Sequence, residues 1–124
     1  MVITPGSQDY PSPAMSWLYP DRGDFIAVIG RMQDINTVRQ VKAALLSSRD
    51  LSVYSMNAPG FIPGIDFSDH LNYWQHDIPA VMITDTAFYR NKQYHLPGDI
   101  ADRLNYQKMA QVVDGVTTLL YNSK

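Results

Sequence analysis

The pattern of apolar and polar residues predicts three β-strands along the chain. A continuous apolar run at residues 25–29, closed by Gly30, is typical of a buried central strand. Residues 51–56 alternate apolar side chains with serines and predict a less buried strand. Residues 80–83 form a short apolar run that follows Pro79 and precedes polar residues. That run is too short for a helix, so it predicts a second buried strand in the middle of the sheet.

Helices are predicted between and after these strands. From Asp34, a favourable capping residue, apolar residues recur at three- and four-residue steps over residues 35–45. Ser68 is predicted to cap a short helix over residues 69–76. Asn105 is predicted to cap a closing helix, whose apolar stripe contains Met109, Val112, Val113, Val116, Leu119 and Leu120.

The order β-α-β-α-β-α predicts an α/β fold, a three-layer sandwich with a mainly parallel sheet. Strand, helix and strand joined by short links imply a right-handed crossover and parallel pairing. A length of 124 residues predicts a single domain. Residues 1–24 carry four of the eight prolines and are predicted to be an irregular lead-in, anchored by residues 17–19, to a body over residues 25–124.

Composition removes several functional classes. The net charge of −2 and a pI of about 5.8 do not favour nucleic acid or an acidic membrane surface as partners. The absence of cysteine excludes disulfides and thiolate chemistry. No apolar run approaches the roughly 20 residues of a membrane span. The first 20 residues lack a basic region and are broken by prolines, so we expect no signal peptide and a cytoplasmic location if the chain is expressed as it stands.

Residues 68–99 contain all three histidines and the densest aromatic cluster. The loop after residues 80–83 is predicted to leave the carboxyl edge of a parallel sheet, where open α/β folds build their sites. Tyr94 and His95 lie near its end. His95 has two interpretations: a hydrogen-bonded loop histidine, which is the commoner case, or a metal ligand beside a phenol that can stabilise an oxyanion.

Other polar residues also have two interpretations. Asp69 either complements the dipole of the short helix or orients a ligand or base at the site. His76 is predicted to be solvated or to interact with the helix C-terminus. Asp85 and Asp99 are candidate ligands, although turn and capping roles are commoner for loop aspartates. No HExxH, P-loop, GxGxxG or GxSxG motif is present.

Several motifs together resemble one family. They are SDH, IPA, TDTAFYRN, YHLPGD and LNYQKMAQVVDGV, with GSQDYP near the start. Over about residues 19–120 the chain resembles the C-terminal part of the zinc-dependent aminopeptidases with two co-catalytic metals, metallopeptidase family twenty-eight, which is related to bacterial leucyl aminopeptidases and glutaminyl cyclases. The resemblance implies a phosphorylase/hydrolase-like fold, removal of N-terminal residues from peptides, and relatives that are often secreted or periplasmic.

The resemblance also implies roles for three residues. His95 matches the family's C-terminal zinc ligand, and Tyr94 matches the tyrosine that stabilises the tetrahedral intermediate. Asp69 lies in the SDH motif beside the site. The implied cofactor is zinc, with two ions polarising the carbonyl group and supplying hydroxide.

The sequence departs from the family in its ligands. The family's H-x-D, bridging Asp, Glu-Glu pair and further acidic ligand are missing, and all twelve acidic residues are Asp. Residues 96, 98 and 100 also differ from the usual motif. Because catalytic zinc needs about three protein ligands, we expect an aminopeptidase half-domain that is inactive alone and binds zinc weakly. One alternative is a non-catalytic assembly module, which self-associates or pairs with a chain that supplies the missing half. Another is a chain that supplies His95 and Tyr94 to a site whose remaining ligands come from another polypeptide.

Overall fold

The computed structural model describes residues 6–59 and 61–123; residues 1–5 of the predicted lead-in lie outside it. Within these ranges the chain forms four helices and three strands, in the order α1 (Pro13–Leu18), β1 (Phe25–Arg31), α2 (Ile35–Leu46), β2 (Ser52–Ala58), α3 (His70–Gln75), β3 (Met82–Thr84) and α4 (Tyr106–Asn122). Short 3-10 turns occur at Met32–Asp34, Ala87–Tyr89 and Ala101–Arg103.

The three strands form one mixed sheet in the order β2-β1-β3, which confirms the α/β class. β1 pairs with β2 in parallel, from Phe25 opposite Ser52 to Arg31 opposite Ala58. Six of the seven residues of β1 are buried, as its continuous apolar run predicts. The parallel pairing of the β1-α2-β2 unit is therefore confirmed.

The prediction that residues 80–83 form a middle strand is wrong for the described residues, and the sheet that they form is mixed. β3 lies at an edge and runs antiparallel to β1. The Trp74 carbonyl of α3 accepts a hydrogen bond from Arg31 at the carboxyl end of β1. The chain therefore enters β3 from that end.

Helices α2 and α4 cover one face of the sheet. Their apolar side chains form a core with Ile26 and Val28 of β1 and with Val53 of β2. A Cβ atom at Gly115 of α4 would lie 2.8 Å from the Leu45 Cα of α2, so the glycine permits the close approach that its position in a helix predicts. The opposite sheet face carries a second cluster of buried apolar residues, which contains Phe25, Ala27, Ile29, Ala58 and Ile65.

The predicted helix caps have three different outcomes. The Asn105 side chain accepts a hydrogen bond from the Lys108 N–H at 3.0 Å, which confirms this cap. Asp34 occupies the N-cap position of α2, but its carboxylate accepts two bonds from Arg31 instead of capping. The pair with Arg31 joins opposite charges through two hydrogen bonds, whereas a cap would join the carboxylate to an uncharged N–H group, which explains the exchange. Ser68 is not the cap of α3, because Asp69 takes that position and makes no side-chain cap bond.

The lead-in is less irregular than predicted. Ser12 is extended and Pro13 occupies the first turn of α1, a position that suits its fixed φ angle. Trp17 and Leu18 are 87% and 76% exposed, so the prediction that they anchor this segment is wrong. Tyr19 does anchor it, since its hydroxyl donates to the Ser55 carbonyl of β2 at 3.1 Å. A helix of six residues has too few turns to bury both of its sides.

Candidate functional site

A cavity of about 550 Å³ opens on the sheet face that α2 and α4 do not cover. Its floor is apolar and is formed by Phe25, Ala27 and Ile29 of β1 with Met56 and Met82 of the neighbouring strands. Three segments form the walls: the lead-in with Tyr10, Met15 and Tyr19, the loop after β2 with Ile62, Ile65 and Phe67, and the loop after β3 with Phe88, Tyr89, Tyr94 and His95. An apolar pocket of this size, with a few polar groups, is typical of small-molecule sites.

Tyr94 and His95 lie together on the wall of this cavity. Their rings stack with centroids 4.0 Å apart and planes 18° apart. Tyr94 is 40% exposed, and its ring centroid lies 6.2 Å from that of Phe88. His95 has a φ of +60°, a left-handed conformation that costs a non-glycine residue of the order of 1–3 kcal/mol. The structure thus brings the two predicted residues to one site through a strained backbone.

The loop that carries this pair does not leave the carboxyl edge of the parallel strands, so that prediction is wrong. Thr84, the last residue of β3, pairs with Ala27 in the amino-terminal half of β1. Because β3 runs antiparallel, its own carboxyl end lies beside the start of β1. The cavity is built over a sheet face, and the loop closes over it from that side.

Asp69 lies apart from the stacked pair. It is exposed and does not line the cavity, whereas its neighbour Ser68 does. His70 is buried: its Nε2 lies 2.5 Å from the Ile65 carbonyl oxygen, and its ring meets Trp74 edge-on. These contacts give His70 a structural position. The orienting role of Asp69 stays a prediction.

Loop aspartates take turn roles in the structure. Asp85 lines the cavity, and its Oδ1 accepts a bond from the Ala87 N–H at 3.3 Å. Asp99 accepts a bond from the Asn91 side chain at 2.8 Å. His76 is exposed at the C-terminus of α3. Across residues 6–59 and 61–123, no three His, Cys, Asp or Glu residues converge as a metal-binding group.

A buried polar network ties the lead-in to the site loop, and sequence reasoning missed it. The Gln8 Nε2 donates to the Thr86 hydroxyl at 2.9 Å, and the Arg90 Nε donates to the Gln8 Oε1 at 2.9 Å. Thr86 and Ala87 both have positive φ angles, +72° and +45°. Residues keep such strained backbone conformations only where surrounding contacts hold them in place, and the hydrogen bonds of this network are such contacts. Gln8 lies about 80 positions from its partners, so no local pattern indicates the contact.

Arg90 is the charged centre of this network and is only 7% exposed. Its Nη1 donates to the Phe25 carbonyl at 2.8 Å, and its guanidinium lies 4.6 Å from the centroid of the Phe25 ring. Burial lowers the pKa of Arg90. A side chain at Gly23 would meet the Arg90 Nε at 2.7 Å, so the turn before β1 needs a glycine. Arg90 therefore fixes the start of β1 against the loop that carries Tyr94 and His95.

Tyr10 forms part of the cavity wall beside this network. Its hydroxyl donates to the Pro20 carbonyl, and its ring stacks on Tyr19 at 6.1 Å. Burial raises the pKa of Tyr10 to about 12, although the positive charge of Arg90 acts in the opposite direction. The phenol therefore stays protonated at neutral pH and acts as a hydrogen-bond donor.

Comparison with known proteins identifies one long relative. The Escherichia coli (strain K12) "Uncharacterized protein YfbL" is 92% identical over 120 residues, which are 97% of this chain and 37% of that protein. The chain thus spans little more than a third of this relative's length. No protein-family model and no solved structure matches the chain. Within the described residues, no helix is both long and apolar enough to cross a membrane.

Proposed function

We propose that this chain supplies the substrate-facing part of a zinc-dependent aminopeptidase-type site. The observation that carries the proposal is the stacked Tyr94–His95 pair on the wall of a cavity of about 550 Å³. In this proposal the cavity holds the apolar side chain of a peptide's N-terminal residue. We also propose that, within a longer polypeptide, the sheet forms part of a three-layer, mainly parallel zinc-peptidase sandwich.

The cavity's chemistry supports an apolar ligand. Its floor is built from the aliphatic, methionine and aromatic side chains of Phe25, Ala27, Ile29, Met56 and Met82. An apolar side chain gains about 25 cal/mol for each Å² that it removes from water. Methionine and aromatic side chains adapt to different ligand shapes and leave no charge that would repel them. A charged side chain would lose its hydration there without gaining a salt bridge to the floor.

Two polar groups mark the reacting end of the cavity. In the proposed site, the Tyr94 hydroxyl donates a hydrogen bond to the oxygen on which negative charge develops. His95 offers a neutral imidazole nitrogen, the commonest protein ligand of zinc. Bound zinc would polarise the scissile carbonyl group and lower the pKa of a bound water.

The described residues do not fit a complete catalytic zinc centre. His95 offers one imidazole where about three protein ligands are needed, and the described residues contain no cluster of three His, Cys, Asp or Glu side chains. We therefore propose that another polypeptide supplies the remaining ligands and the general base. On this proposal the 124 residues alone do not hydrolyse aminoacyl anilides.

A zinc titration tests the proposal on the chain itself. Zn²⁺ is titrated by calorimetry into the wild-type chain, a His95→Ala variant and a His76→Ala control. We expect weak binding that the His95 substitution reduces by about tenfold or more, whereas the control binds as the wild type does. Equal effects of the two substitutions, or rapid hydrolysis of leucine p-nitroanilide by the chain alone, would overturn the proposal.

A non-catalytic assembly role is the second candidate. Large apolar side chains stand in water around the molecule, including Trp17 at 87%, Phe61 at 84% and Phe67 at 70% exposure. Exposed apolar patches mark interaction sites in many proteins. Sedimentation velocity over a range of concentrations tests this role. Association that strengthens with concentration supports it, and a monomer at all concentrations argues against it.

A further inference from the structure

Four aromatic rings form a continuous row along the cavity wall. This aromatic row consists of Phe67, Phe88, Tyr94 and His95, and all four residues line the cavity. The ring centroids of Phe67 and Phe88 lie 6.5 Å apart, and those of Phe88 and Tyr94 lie 6.2 Å apart. His95 ends the row, stacked on Tyr94. The row therefore leads from the proposed reacting end of the site to the loop after β2.

The rings beyond the stacked pair are open to water. Phe67 is 70% exposed and Phe88 is 38% exposed, although both also line the cavity. Contiguous exposed apolar side chains mark interaction sites, and an aromatic ring contributes strongly to binding when a ligand covers it. The open rings are therefore suited to an apolar group of a ligand that extends out of the cavity.

Contacts between two loops hold the row in place. Gly64 has a φ of +91°, and a Cβ atom there would lie 3.5 Å from the Phe88 Cζ atom, so the loop after β2 runs against the Phe88 ring. The Tyr89 hydroxyl donates to the Pro63 carbonyl at 3.3 Å and joins the same two loops. A surface that is ordered before binding loses less conformational entropy when a ligand binds.

The spacing of the row matches that of an extended peptide. Successive side chains of an extended chain point to opposite sides, so the first and third side chains lie on one side, about 6.4–6.8 Å apart. The steps from Tyr94 to Phe88 and from Phe88 to Phe67, 6.2 Å and 6.5 Å, have nearly this length. A peptide whose first side chain occupies the cavity beside Tyr94 therefore directs its third side chain along the row and its second side chain away from it.

We propose that the aromatic row selects peptides with an apolar or aromatic third residue. This inference rests on the proposed function, because the first residue in the cavity fixes the position of those that follow. Phe67 and Phe88 pack against the third side chain, whereas the second side chain faces water and is not selected. Aromatic rings pair at centroid distances of about 4.5–7 Å, so a phenylalanine at the third position continues the row.

Two tripeptide amides of identical composition test this inference on the 124-residue chain. Leucyl-glycyl-phenylalaninamide, leucyl-phenylalanyl-glycinamide and leucinamide are each titrated into the chain in the presence of Zn²⁺. Dissociation constants are measured by NMR from the methyl signals of Met56 and Met82, which lie on the cavity floor. We expect the peptide with phenylalanine at the third position to bind about tenfold more tightly than its isomer, because one aromatic pair contributes about that factor.

Two substitutions in one loop locate the preference. Phe61 is the matched control for Phe67, because it is 84% exposed in the same loop and does not line the cavity. We expect Phe67→Ala to reduce the ratio of the two dissociation constants by about threefold or more, and Phe61→Ala to keep the wild-type ratio. The ratio compares two ligands on the same variant, so it does not depend on how much of that variant is folded.

Equal binding of the two tripeptides, tighter binding of leucyl-phenylalanyl-glycinamide, or an equal loss of preference in both variants would overturn the inference. If leucinamide still shifts the two methionine signals, the proposed cavity stands and only the role of the aromatic row is refuted. A preference for phenylalanine at the third position, combined with zinc binding that His95→Ala does not weaken, would refute the zinc site and support the row. If none of the three ligands shifts the methionine signals, both proposals are refuted.

Discussion

Replacing Gly115 by Ala sets two effects of opposite sign against each other. Alanine favours a helix over glycine by about 1 kcal/mol, so propensity alone predicts a more stable protein. The structure predicts the reverse, because the new Cβ atom would lie 2.8 Å from both the Leu45 Cα and the Leu45 Cδ2. Carbon atoms pack at about 3.5–4.0 Å, so α2 and α4 must separate by several tenths of an ångström or more.

The magnitude follows from the cost of overpacking. An extra methyl group in a well-packed core costs about 1–3 kcal/mol, and the contact here includes backbone that cannot rotate away. After subtraction of the propensity gain, we expect the free energy of unfolding to fall by roughly 0–2 kcal/mol, with about 1 kcal/mol as the central value.

Urea unfolding followed by circular dichroism measures this change. Ala110→Gly is the matched control, because Ala110 is exposed in the same helix and reports the propensity difference without the contact. We expect both substitutions to destabilise the protein, although they change helix propensity in opposite directions. A Gly115→Ala variant that is more stable than the wild type by about 1 kcal/mol would refute the close approach of α2 and α4.

Substitutions at three further residues test the buried polar groups. Burial raises the Tyr10 pKa to about 12, so the unfolded chain releases this proton at a lower pH than the folded protein does, and the free energy of unfolding of the wild type should fall between pH 10 and 12. Urea unfolding of the Tyr10→Phe variant should show a shallower fall over the same pH range. An equally steep fall in both proteins would contradict this prediction. Arg90→Gln leaves the Phe25 carbonyl without its donor and should lower the free energy of unfolding by about 1–3 kcal/mol. Arg90→Lys should recover only part of this loss, because lysine lacks the planar guanidinium group, and full recovery would contradict the assigned geometry. His70→Phe should lower the free energy of unfolding by about 1–3 kcal/mol in the same assay, because the Ile65 carbonyl loses its partner. The zinc affinity of this variant should equal that of the wild type, and a loss of zinc affinity would identify His70 as a ligand.

The elements with strong periodicity could be predicted from the sequence. β1, α2 and α4 each carry apolar residues at the spacing of one buried face or of a fully buried strand, and the structure places them in the core. Asn105 was recognisable as a cap because its effect is local. Trp17 and Leu18 show that residue type alone does not predict burial, because both side chains are apolar and yet exposed.

The direction of β3 could not be predicted in the same way. An apolar run indicates burial but contains no information on whether a strand runs parallel or antiparallel to its neighbour. The hydrogen bond from Arg31 to the Trp74 carbonyl holds the chain before β3 at the carboxyl end of β1, and it joins residues 43 positions apart in the sequence. The error moved the predicted site from the carboxyl edge of the sheet to the loop beside the start of β1.

The candidate site was predicted only in part. Tyr94 and His95 are adjacent in sequence, so their proximity follows directly, and both line the cavity. The floor and the Gln8–Thr86–Arg90 network could not be predicted, because residues far apart in the chain build them. Such contacts follow from the folded sheet and not from local propensity.

The most direct test of the proposed site is one NMR titration of the chain with L-leucinamide in the presence of Zn²⁺. The methyl signals of Met56 and Met82 report the cavity floor, and the imidazole signals report His95 and His76. We predict that the methionine methyls and the His95 imidazole shift together at the same leucinamide concentration, while His76 does not move. Shifts that affect His95 and His76 equally and leave both methionine methyls unchanged would contradict a substrate cavity beside the Tyr94–His95 pair.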